Sequence, residues 1–487
     1  MEYTVALPHD LEDKMAKNKI KLPLTEGPIF WRIILFALPI IATGVLQVLY
    51  NMADNIVVGR FSGDPTALGS VGSTTSLTNL ILNMLLGIAV GTSVVVSQAY
   101  GAKSDKTVSR AVHTALTFSI IGGLVLMAIG LAISRPALVL MKTQPEMLEG
   151  AVLYFRIICI GIPASAVYNF GAAILRSIGD SKTPLIILSS TGLVNVGLNF
   201  FFVLACKMSV AGVAIATIVS QYLSAILVIV VLWSKKGESY CFSPKRLCID
   251  FEILKRILRF GIPSGIQSSL FSISNVLLTS GINSLSNPYI VTAYTVSNNI
   301  DAITFISCNS FHQAALTFTG QNFGAKKHDR IKRVVIYSLL QVAFFGIVIA
   351  QTELLFSDQL ASLYISSTDP GKEQILAFTR DILLVLLNTY FICGIMDVLS
   401  GILKGLGYSL VPMIISLVGI CGIRIAWVSF VFPLEQFNSH VGLCLSYPIS
   451  WSLTICMLLP TVIVALRRLN RQRKSEAKEN DSTKELV

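Results

Sequence analysis

The first long apolar segment of the chain carries three polar side chains on one helical face. Gln47, Asn51 and Asp54 lie at positions i, i+4 and i+7, a spacing that aligns them along an α-helix. An ionisable side chain within such a segment costs at least about 2.5–3.5 kcal/mol to insert into a bilayer. Asp54 is therefore the leading candidate for a functional carboxylate, one that binds a cation or a proton.

Two later apolar segments place further oxygen ligands at the depth of Asp54. Asn195 and Asn199 are spaced i and i+4, and Thr217 lies in the segment that follows. Counted from the nearest helix ends at roughly 1.5 Å per residue, Asp54, Asn199 and Thr217 all lie about 9–12 Å below the same membrane surface. One carboxylate, two amide carbonyls and a hydroxyl could hold a hard cation such as Na⁺, whereas the carboxylate alone could take a proton. The competing interpretation is that the two amides only hydrogen-bond between helices, at about 0.6 kcal/mol each.

Other ionisable residues within apolar segments are few. Asp301 and Arg424 lie in the middle of two later segments. Either the two form a buried ion pair, or Asp301 binds a cation or substrate in a central cavity. Asp397 lies seven residues before Lys404, which is a shallow position for a coupling site. The candidates for polar substrate contacts are Gln47, Asn51, Asp301, Asp397 and Arg424.

Membrane-spanning helices must position these residues. Of the 487 residues, 53% are hydrophobic and 13% are charged, and the mean hydropathy is +0.70. A soluble protein has about 25% charged residues, so the composition excludes a soluble enzyme and indicates a chain embedded in a lipid bilayer. We predict an all-α polytopic membrane protein with twelve transmembrane helices, over about 30–58, 66–98, 109–134, 150–175, 185–206, 211–234, 254–283, 289–321, 331–353, 379–403, 409–433 and 443–466.

The basic residues indicate the orientation of these helices. Thirty of the 38 lysines and arginines fall on the side of the membrane that holds both termini. The positive-inside rule then predicts that both termini are cytoplasmic. The net charge of +11 is thus an orientation signal. The sequence has no basic face interleaved with aromatic residues, which is the pattern typical of nucleic-acid binding. The nine cysteines lack the spacing of metal ligands or of a redox pair.

The chain repeats itself. ILRSIGDSKTPLI begins at Ile174 and ILKGLGYSLVPMI begins at Ile402, which aligns Arg176 with Lys404 at a shift of 228 residues. SQAYGAK and GQNFGAK, and the tripeptides ALP and GIP, repeat at shifts of 223 and 224. Matches in order along the chain indicate two homologous six-helix lobes. Because six is even, both lobes enter the membrane in the same direction and should be related by a pseudo-twofold axis along the membrane normal.

Five regions follow from these patterns. The predicted boundaries are a polar cytoplasmic leader at 1–28 without a signal peptide, a first lobe at 29–234, a cytoplasmic linker at 235–253, a second lobe at 254–466 and a disordered cytoplasmic tail at 467–487.

The sequence favours a carrier driven by an ion gradient over an enzyme. It contains no Walker A motif for ATP, no HExxH motif and no GxSxG motif with partners for a triad. We therefore expect no cofactor other than the coupling ion. A membrane-bound enzyme would need a catalytic constellation near a helix end, and a channel would not need the two-lobe repeat.

Four segments together resemble the MATE family of multidrug and toxic compound extrusion transporters, in particular members from Firmicutes. They are NMADNIVVGRFSG, ILRSIGDSKTP, GLVNVGLNFFFV and GVAIAT. The resemblance implies a V-shaped pair of six-helix bundles with alternating access. It also implies export of small organic, usually cationic, compounds in exchange for Na⁺ or H⁺, and we expect a monomer. Asp54 matches the first-lobe carboxylate of the family, and Asn195, Asn199 and Thr217 match residues of the same coupling site.

The second lobe departs from the best-studied branch of that family. Phe271 stands at the position of its helix 7 glutamate, and Asp397 lies about one turn from its helix 10 aspartate. The resemblance therefore leaves the coupling role to Asp54. The alternative function is a flippase for lipid-linked sugars or lipids, from the same wider superfamily, which should have a cationic central cavity for an anionic head group.

Overall fold

The computed structural model describes residues 24–61, 66–141, 143–365 and 370–484, and within these ranges the chain forms helices and no strands. The twelve predicted helices are confirmed. Their bounds are α1 Ile29–Phe61, α2 Ala67–Gly101, α3 Asp105–Leu140, α4 Pro145–Ser177, α5 Lys182–Ala205, α6 Val210–Ser234, α7 Phe251–Ser284, α8 Pro288–Ile300 with Ala302–Gly324, α9 His328–Leu355, α10 Lys372–Gly405, α11 Leu410–Val431 and α12 His440–Cys444 with Ser446–Lys484.

Ten of the twelve helices are long and apolar enough to cross a membrane. The other two, α7 and α8, are more polar, because α7 begins with EILKRILRF and α8 is interrupted at Asp301. Polar residues of both helices line a cavity instead of facing lipid, among them Gln267 of α7 and Asn309 of α8. Their low hydropathy therefore reflects their position inside the protein.

Apart from shifts of several residues at helix ends, two features differ from the prediction. The segment predicted as one helix over 289–321 is divided at Asp301, whose backbone N–H still bonds to Ser297. The region predicted as a disordered tail over 467–487 instead continues α12 as far as Lys484. Arginine, lysine, glutamate, glutamine and alanine are strong helix formers, so a charged sequence rich in them extends the helix beyond its apolar part. The predicted leader lies largely outside the described residues, with Leu24 as its first described residue.

The two lobes repeat one packing scheme. In the first lobe α4 packs against α2, α3 and α6, and in the second lobe α10 packs in the same way against α8, α9 and α12. The lobes meet mainly where α2 crosses α7 and where α8 contacts α1 and α2. Because the pairs α2–α7 and α8–α1 are equivalent under the repeat, the interface itself follows the pseudo-twofold symmetry.

Glycines allow the closest approach between the lobes. Gly87 and Gly91 of α2 face Gly261 and Gly265 of α7, and a Cβ atom on Gly91 would lie 2.6 Å from the backbone nitrogen of Gly261. Paired small residues four positions apart let two membrane helices pack backbone to backbone. No larger side chain fits this crossing without moving the helices apart.

The chain between the lobes packs onto the first lobe. Tyr240 and Phe242 are buried in the core formed by α2, α3 and α4. The backbone N–H of Ser243 donates to His113 Nε2 at 3.1 Å. The His113 ring stacks on the Phe242 ring, with 5.7 Å between the ring centres. The segment predicted as a linker over 235–253 is thus a docked connection, and it ends where α7 begins at Phe251. We call the side of the molecule that holds this connection the linker face and the opposite side the far face.

Asp250 starts α7 as its N-cap. Its carboxylate accepts hydrogen bonds from the backbone N–H groups of Glu252 and Ile253, at 3.1 and 3.2 Å, and pairs with Arg110 of α3. The hydrogen bond from Ile253 and the pairing with Arg110 hold the pKa of Asp250 below its ordinary value. The start of the second lobe is therefore tied electrostatically to the first.

Candidate ion and substrate sites

The structure brings Asp54, Asn195, Asn199 and Thr217 together. Asn199 Nδ2 donates to Asp54 Oδ1 at 2.5 Å and also lies 3.3 Å from Asn195 Oδ1. Thr217 Oγ1 lies 3.4 Å from Asp54 Oδ2. Three helices, α1, α5 and α6, thus each contribute to one polar cluster inside the first lobe.

Local helix geometry orients these side chains. α5 changes from α-helical to π-helical hydrogen bonding at Phe201, two residues after Asn199. Such π-helical turns often occur at functional sites, because they rotate the side chains next to them. The Thr217 hydroxyl makes its shorter hydrogen bond, 2.9 Å, to the Val213 carbonyl of its own helix. The same hydroxyl is within donor distance of Asp54 Oδ2, at 3.4 Å.

The donor set fits a monovalent cation or a proton. All available atoms are oxygens, and Asn199 Oδ1 is buried without a hydrogen-bond partner within the described chain. An orphaned acceptor of this kind is costly unless a cation or a donor occupies the space beside it. The cluster carries a single carboxylate, whose charge one Na⁺ or one proton neutralises. Among the described residues, no group of three or more His, Cys, Asp or Glu side chains comes together as a metal site.

The Asp54 cluster opens into a cavity of about 430 Å³, here called the first-lobe cavity. Gln47, Asn51 and Asp54 face it from α1, as their spacing on one helical face requires. Tyr50 and Tyr168 also line it. Sequence reasoning did not single out these tyrosines, because an aromatic residue in an apolar helix usually serves packing.

A second cavity of about 420 Å³, the central cavity, lies between the lobes. Asp397 lines it from α10 and is 9% exposed. His312 Nδ1 lies 2.7 Å from the Asp397 carbonyl, which fixes the ring beside the same cavity. Arg176 of α4 and Gln313 of α8 line both cavities, so the two spaces adjoin.

Asp301 and Arg424 do not pair. Arg424 donates to Ser274 Oγ at 3.2 Å and to Asn275 Oδ1 at 3.1 Å, and its guanidinium carbon lies 4.2 Å from the centre of the Tyr447 ring. No ion pair joins Arg424 to Asp301 in the part of the chain that the structure describes. The linings of the two cavities include neither residue, so a substrate contact at either one stays a prediction.

Glu353 of α9 is a buried carboxylate that sequence reasoning missed. It accepts from the backbone N–H of Thr304 at 3.1 Å and from Thr304 Oγ1 at 2.7 Å. These bonds hold α9 against α8 just after the interruption at Asp301. Its position near the end of α9 resembles that of an ordinary surface residue, so the sequence offers no signal for it.

The repeated motifs lie where the lobes meet at the linker face. Gln98 of SQAYGAK donates to the Gly405 carbonyl at the end of α10, at 2.9 Å. Its counterpart Gln321 of GQNFGAK donates to the Ser177 carbonyl at the end of α4, at 2.6 Å. Each bond crosses from one lobe to the other, so the pair closes the linker face symmetrically. The sequence shows that the two motifs repeat, but it does not show that their glutamines bond to the opposite lobe.

Comparison with known proteins agrees with this architecture. The chain is 28% identical over 439 residues to the probable multidrug resistance protein YoeA of Bacillus subtilis, covering 88% of this chain and 93% of that protein. It is 26% identical to the probable multidrug resistance protein NorM of Thermotoga maritima, covering 87% and 90% of the two chains. A crystal structure described as MATE in complex with MaL6 has a TM-score of 0.84 at 21% identity, covering 93% of this chain and 98% of that one, which shows a shared fold.

The family model described as MatE matches the chain twice, at residues 39–201 and 263–428. The two matches fall on the two lobes, which supports the internal repeat. Members of this family are membrane transporters, and the similarity to Bacillus proteins agrees with a Firmicutes-type bacterial member. The chain belongs to the MATE family of multidrug and toxic compound extrusion transporters.

Proposed function

We propose that this protein exports small organic compounds across the bacterial plasma membrane in exchange for Na⁺ or H⁺ bound at Asp54. The observation that carries the proposal is the cluster of Asp54, Asn199 and Thr217, which opens into a cavity that adjoins the space between the lobes. When one carboxylate with neutral oxygen partners binds or releases a monovalent ion, the net charge of the site changes by a single unit. The multidrug resistance proteins among the relatives support an efflux role.

Ion binding would act on the helices that contribute to the site. A cation would draw Asn195 Oδ1, Asn199 Oδ1 and Thr217 Oγ1 toward Asp54, whereas a proton would remove the carboxylate charge that Asn199 now stabilises. Either event changes how α1 packs against α5 and α6. Because α1 also contacts α8 of the other lobe, the ion site is mechanically connected to the lobe interface. Alternating access would follow from rocking of the two lobes about that interface.

Orientation and substrate charge belong to the same proposal. The excess of basic residues on that side supports a cytoplasmic location for the linker face and both termini. Asp54 supplies negative charge to the first-lobe cavity for a cationic group of the substrate. We infer a transporter and not an enzyme, acting as a monomer.

The test is dye efflux from inverted vesicles under separately imposed Na⁺ and pH gradients. We expect Asp54→Asn to abolish efflux driven by the coupling gradient while leaving membrane insertion intact, because the neutral amide cannot exchange an ion. Glu149→Gln is a matched control, since Glu149 is an exposed carboxylate paired with Arg135. Undiminished gradient-driven efflux by Asp54→Asn would contradict the proposal.

A flippase for lipid-linked sugars remains the alternative, since Arg176 and Lys404 contribute positive charge to the central cavity. The central cavity alone holds two cations, Arg176 and Lys404, against one carboxylate, Asp397. With Asp54 of the adjoining first-lobe cavity included, the joined space holds two carboxylates and two cations and is not cationic overall. That balance favours export of organic compounds. Complementation of a flippase-deficient strain by this protein would favour the flippase over the exporter.

A further inference from the structure

We propose that Arg176 and Lys404 form an anion-binding site at the linker-face end of the central cavity, and that it receives a carboxylate or phosphate group of the transported compound. Binding of the anion is independent of the proposed function, whereas transport of the bound compound rests on it. The site is assembled from both lobes, with one cation from each.

The two residues occupy equivalent positions in the repeat. Arg176 lies in the last turn of α4, and Lys404 lies in the last turn of α10. Both line the central cavity, and Arg176 reaches the first-lobe cavity as well. The pseudo-twofold symmetry thus brings two cations to one space that a single lobe could not enclose.

Neither cation has a protein partner in the described chain. Lys404 is only 5% exposed, yet its ammonium makes no hydrogen bond or ion pair with any described residue, and the same holds for the guanidinium of Arg176. Burial of an unpaired charge is strongly unfavourable. The partial negative charge at a helix C-terminus offsets this only weakly. A ligand that supplies the missing negative charge would remove the penalty.

Arg424 shows how this protein treats a buried cation that has a structural role. It is 1% exposed and bonds to Ser274, Asn275 and Ser450, with the Tyr447 ring stacked against it. Its Nε and Nη1 atoms and one face of its guanidinium thus have partners within the protein. Arg176 and Lys404 differ because their polar atoms are directed into a cavity.

The charges around the cavity leave room for an anion. Asp397 lines the same cavity as Lys404, but no ion pair joins the two within the described residues. One carboxylate against two cations leaves a surplus of one positive charge in the central cavity. Leu86, Phe271 and Phe305 line the same cavity, so the ligand that fits is an amphiphile with an apolar body and one anionic group.

The anion site adjoins the contacts that close the linker face. Gln321 donates to the carbonyl of Ser177, which directly follows Arg176, and Gln98 donates to the carbonyl of Gly405, which directly follows Lys404. The two cations therefore converge only while the lobes meet at this face. The anionic group would be held in that state and released when the lobes separate there.

The experiment measures binding of two matched probes to the full chain in phosphatidylcholine vesicles, by fluorescence anisotropy. The probes are a rhodamine with a free carboxylate and the methyl ester of the same dye. We expect Arg176→Gln and Lys404→Gln each to weaken binding of the carboxylate about tenfold, the loss expected for one charge-assisted hydrogen bond. Binding of the ester should change less than twofold.

Three control variants keep the result interpretable. Arg176→Lys and Lys404→Arg preserve the charge and should retain most of the binding of the carboxylate probe. Arg156→Gln removes an exposed arginine of α4 that bonds to Ser134 outside both cavities, and it should change neither probe. Equal loss of both probes, no loss of either, or equal loss in the charge-preserving variants would overturn the anion site.

The same assay separates this proposal from the proposed function. Binding is measured without an ion gradient, so the absence of ion-driven transport would contradict the antiport and leave the anion site standing. Adding phosphatidylglycerol to the vesicles distinguishes the source of the anion. Displacement of the carboxylate probe by that lipid, abolished in Lys404→Gln, would support the site and assign it to a lipid head group. No displacement, together with the expected losses, supports a soluble organic anion.

Discussion

At the scale of single residues, the buried polar groups of this protein fall into two kinds. Arg424 and Glu353 have partners that satisfy them and hold helices together. Asn199 Oδ1 instead has no hydrogen-bond partner among the described residues, and Arg176 and Lys404 line the central cavity without one. Unsatisfied groups are costly in a folded protein, so these three residues are the ones that we propose to bind an ion or a ligand.

Thr217→Val tests the ion site at this scale. The substitution keeps the shape of the side chain and removes one oxygen from the Asp54 cluster. We expect the affinity for the coupling ion to fall about fivefold, in line with roughly 0.5–1.5 kcal/mol for one such interaction. Ion-dependent dye efflux titrated against Na⁺ or pH measures the change.

Thr279→Val provides the matched control for that experiment. Thr279 is an exposed threonine of α7 that bonds only to the Asn275 carbonyl of its own helix. Its replacement should leave the titration unchanged. An equal shift in both variants would indicate a general effect of threonine loss and would remove Thr217 from the ion site.

At the scale of elements, the polarity of α7 and α8 is the clearest departure from a simple membrane helix. Both helices are too polar to be recognised as spans by length and composition, because their polar faces line the central cavity. The α2–α7 crossing is equally specific, since four glycines allow contact between backbones. These features place the cavity directly beside the contact between the lobes.

Gly91→Leu tests that crossing. A side chain at this position would overlap the backbone of Gly261. We expect a loss of about 1–3 kcal/mol in the free energy of unfolding, the usual effect of overpacking. Thermal unfolding of the purified protein in detergent would report it. Gly72→Leu on the same helix has open space around the new side chain, so a comparable loss there would argue against a specific crossing.

At the scale of the whole molecule, the two lobes are joined at the linker face by symmetric contacts. Gln98 and Gln321 each bond to a carbonyl at the end of a helix in the opposite lobe. Because both bonds must break for the lobes to separate there, they stabilise the state in which this face is closed. The same regions hold the cations of the proposed anion site.

Replacing both glutamines by alanine should favour the opposite state. Two hydrogen bonds at about 1 kcal/mol each would shift the equilibrium between closed and open linker face by roughly tenfold or more. Hydrogen exchange of residues 97–102 and 320–325 should become correspondingly faster. Gln351→Ala, which removes an exposed contact to Asn388 within the second lobe, should leave these exchange rates unchanged. Unchanged rates in the double variant would contradict the role of the two glutamines in closing the linker face.

Much of the fold was predictable because the signals are local or repeated. Apolar runs long enough to cross a bilayer indicate helices, and matching motifs such as those at Ile174 and Ile402 indicate two lobes. The juxtaposition of Asp54 with Asn199 was predictable from depth, since helices of regular rise place equal residue counts at equal heights. The interruption of α8 at Asp301 and the role of Glu353 were not predictable, because contacts between helices that are distant in sequence decide both.

The sequence by itself determined the membrane class, the twelve helices and the two-lobe repeat, and it singled out Asp54 as the candidate for the coupling site. Each follows from hydropathy, periodicity or internal similarity along the chain. Only the tertiary structure decided that Arg424 is satisfied by neutral partners, that the connection between the lobes is docked, and that Arg176 and Lys404 share a cavity. The physical reason is that a buried charge is identified by its surroundings, and those surroundings come from helices that meet only when the two lobes pack together.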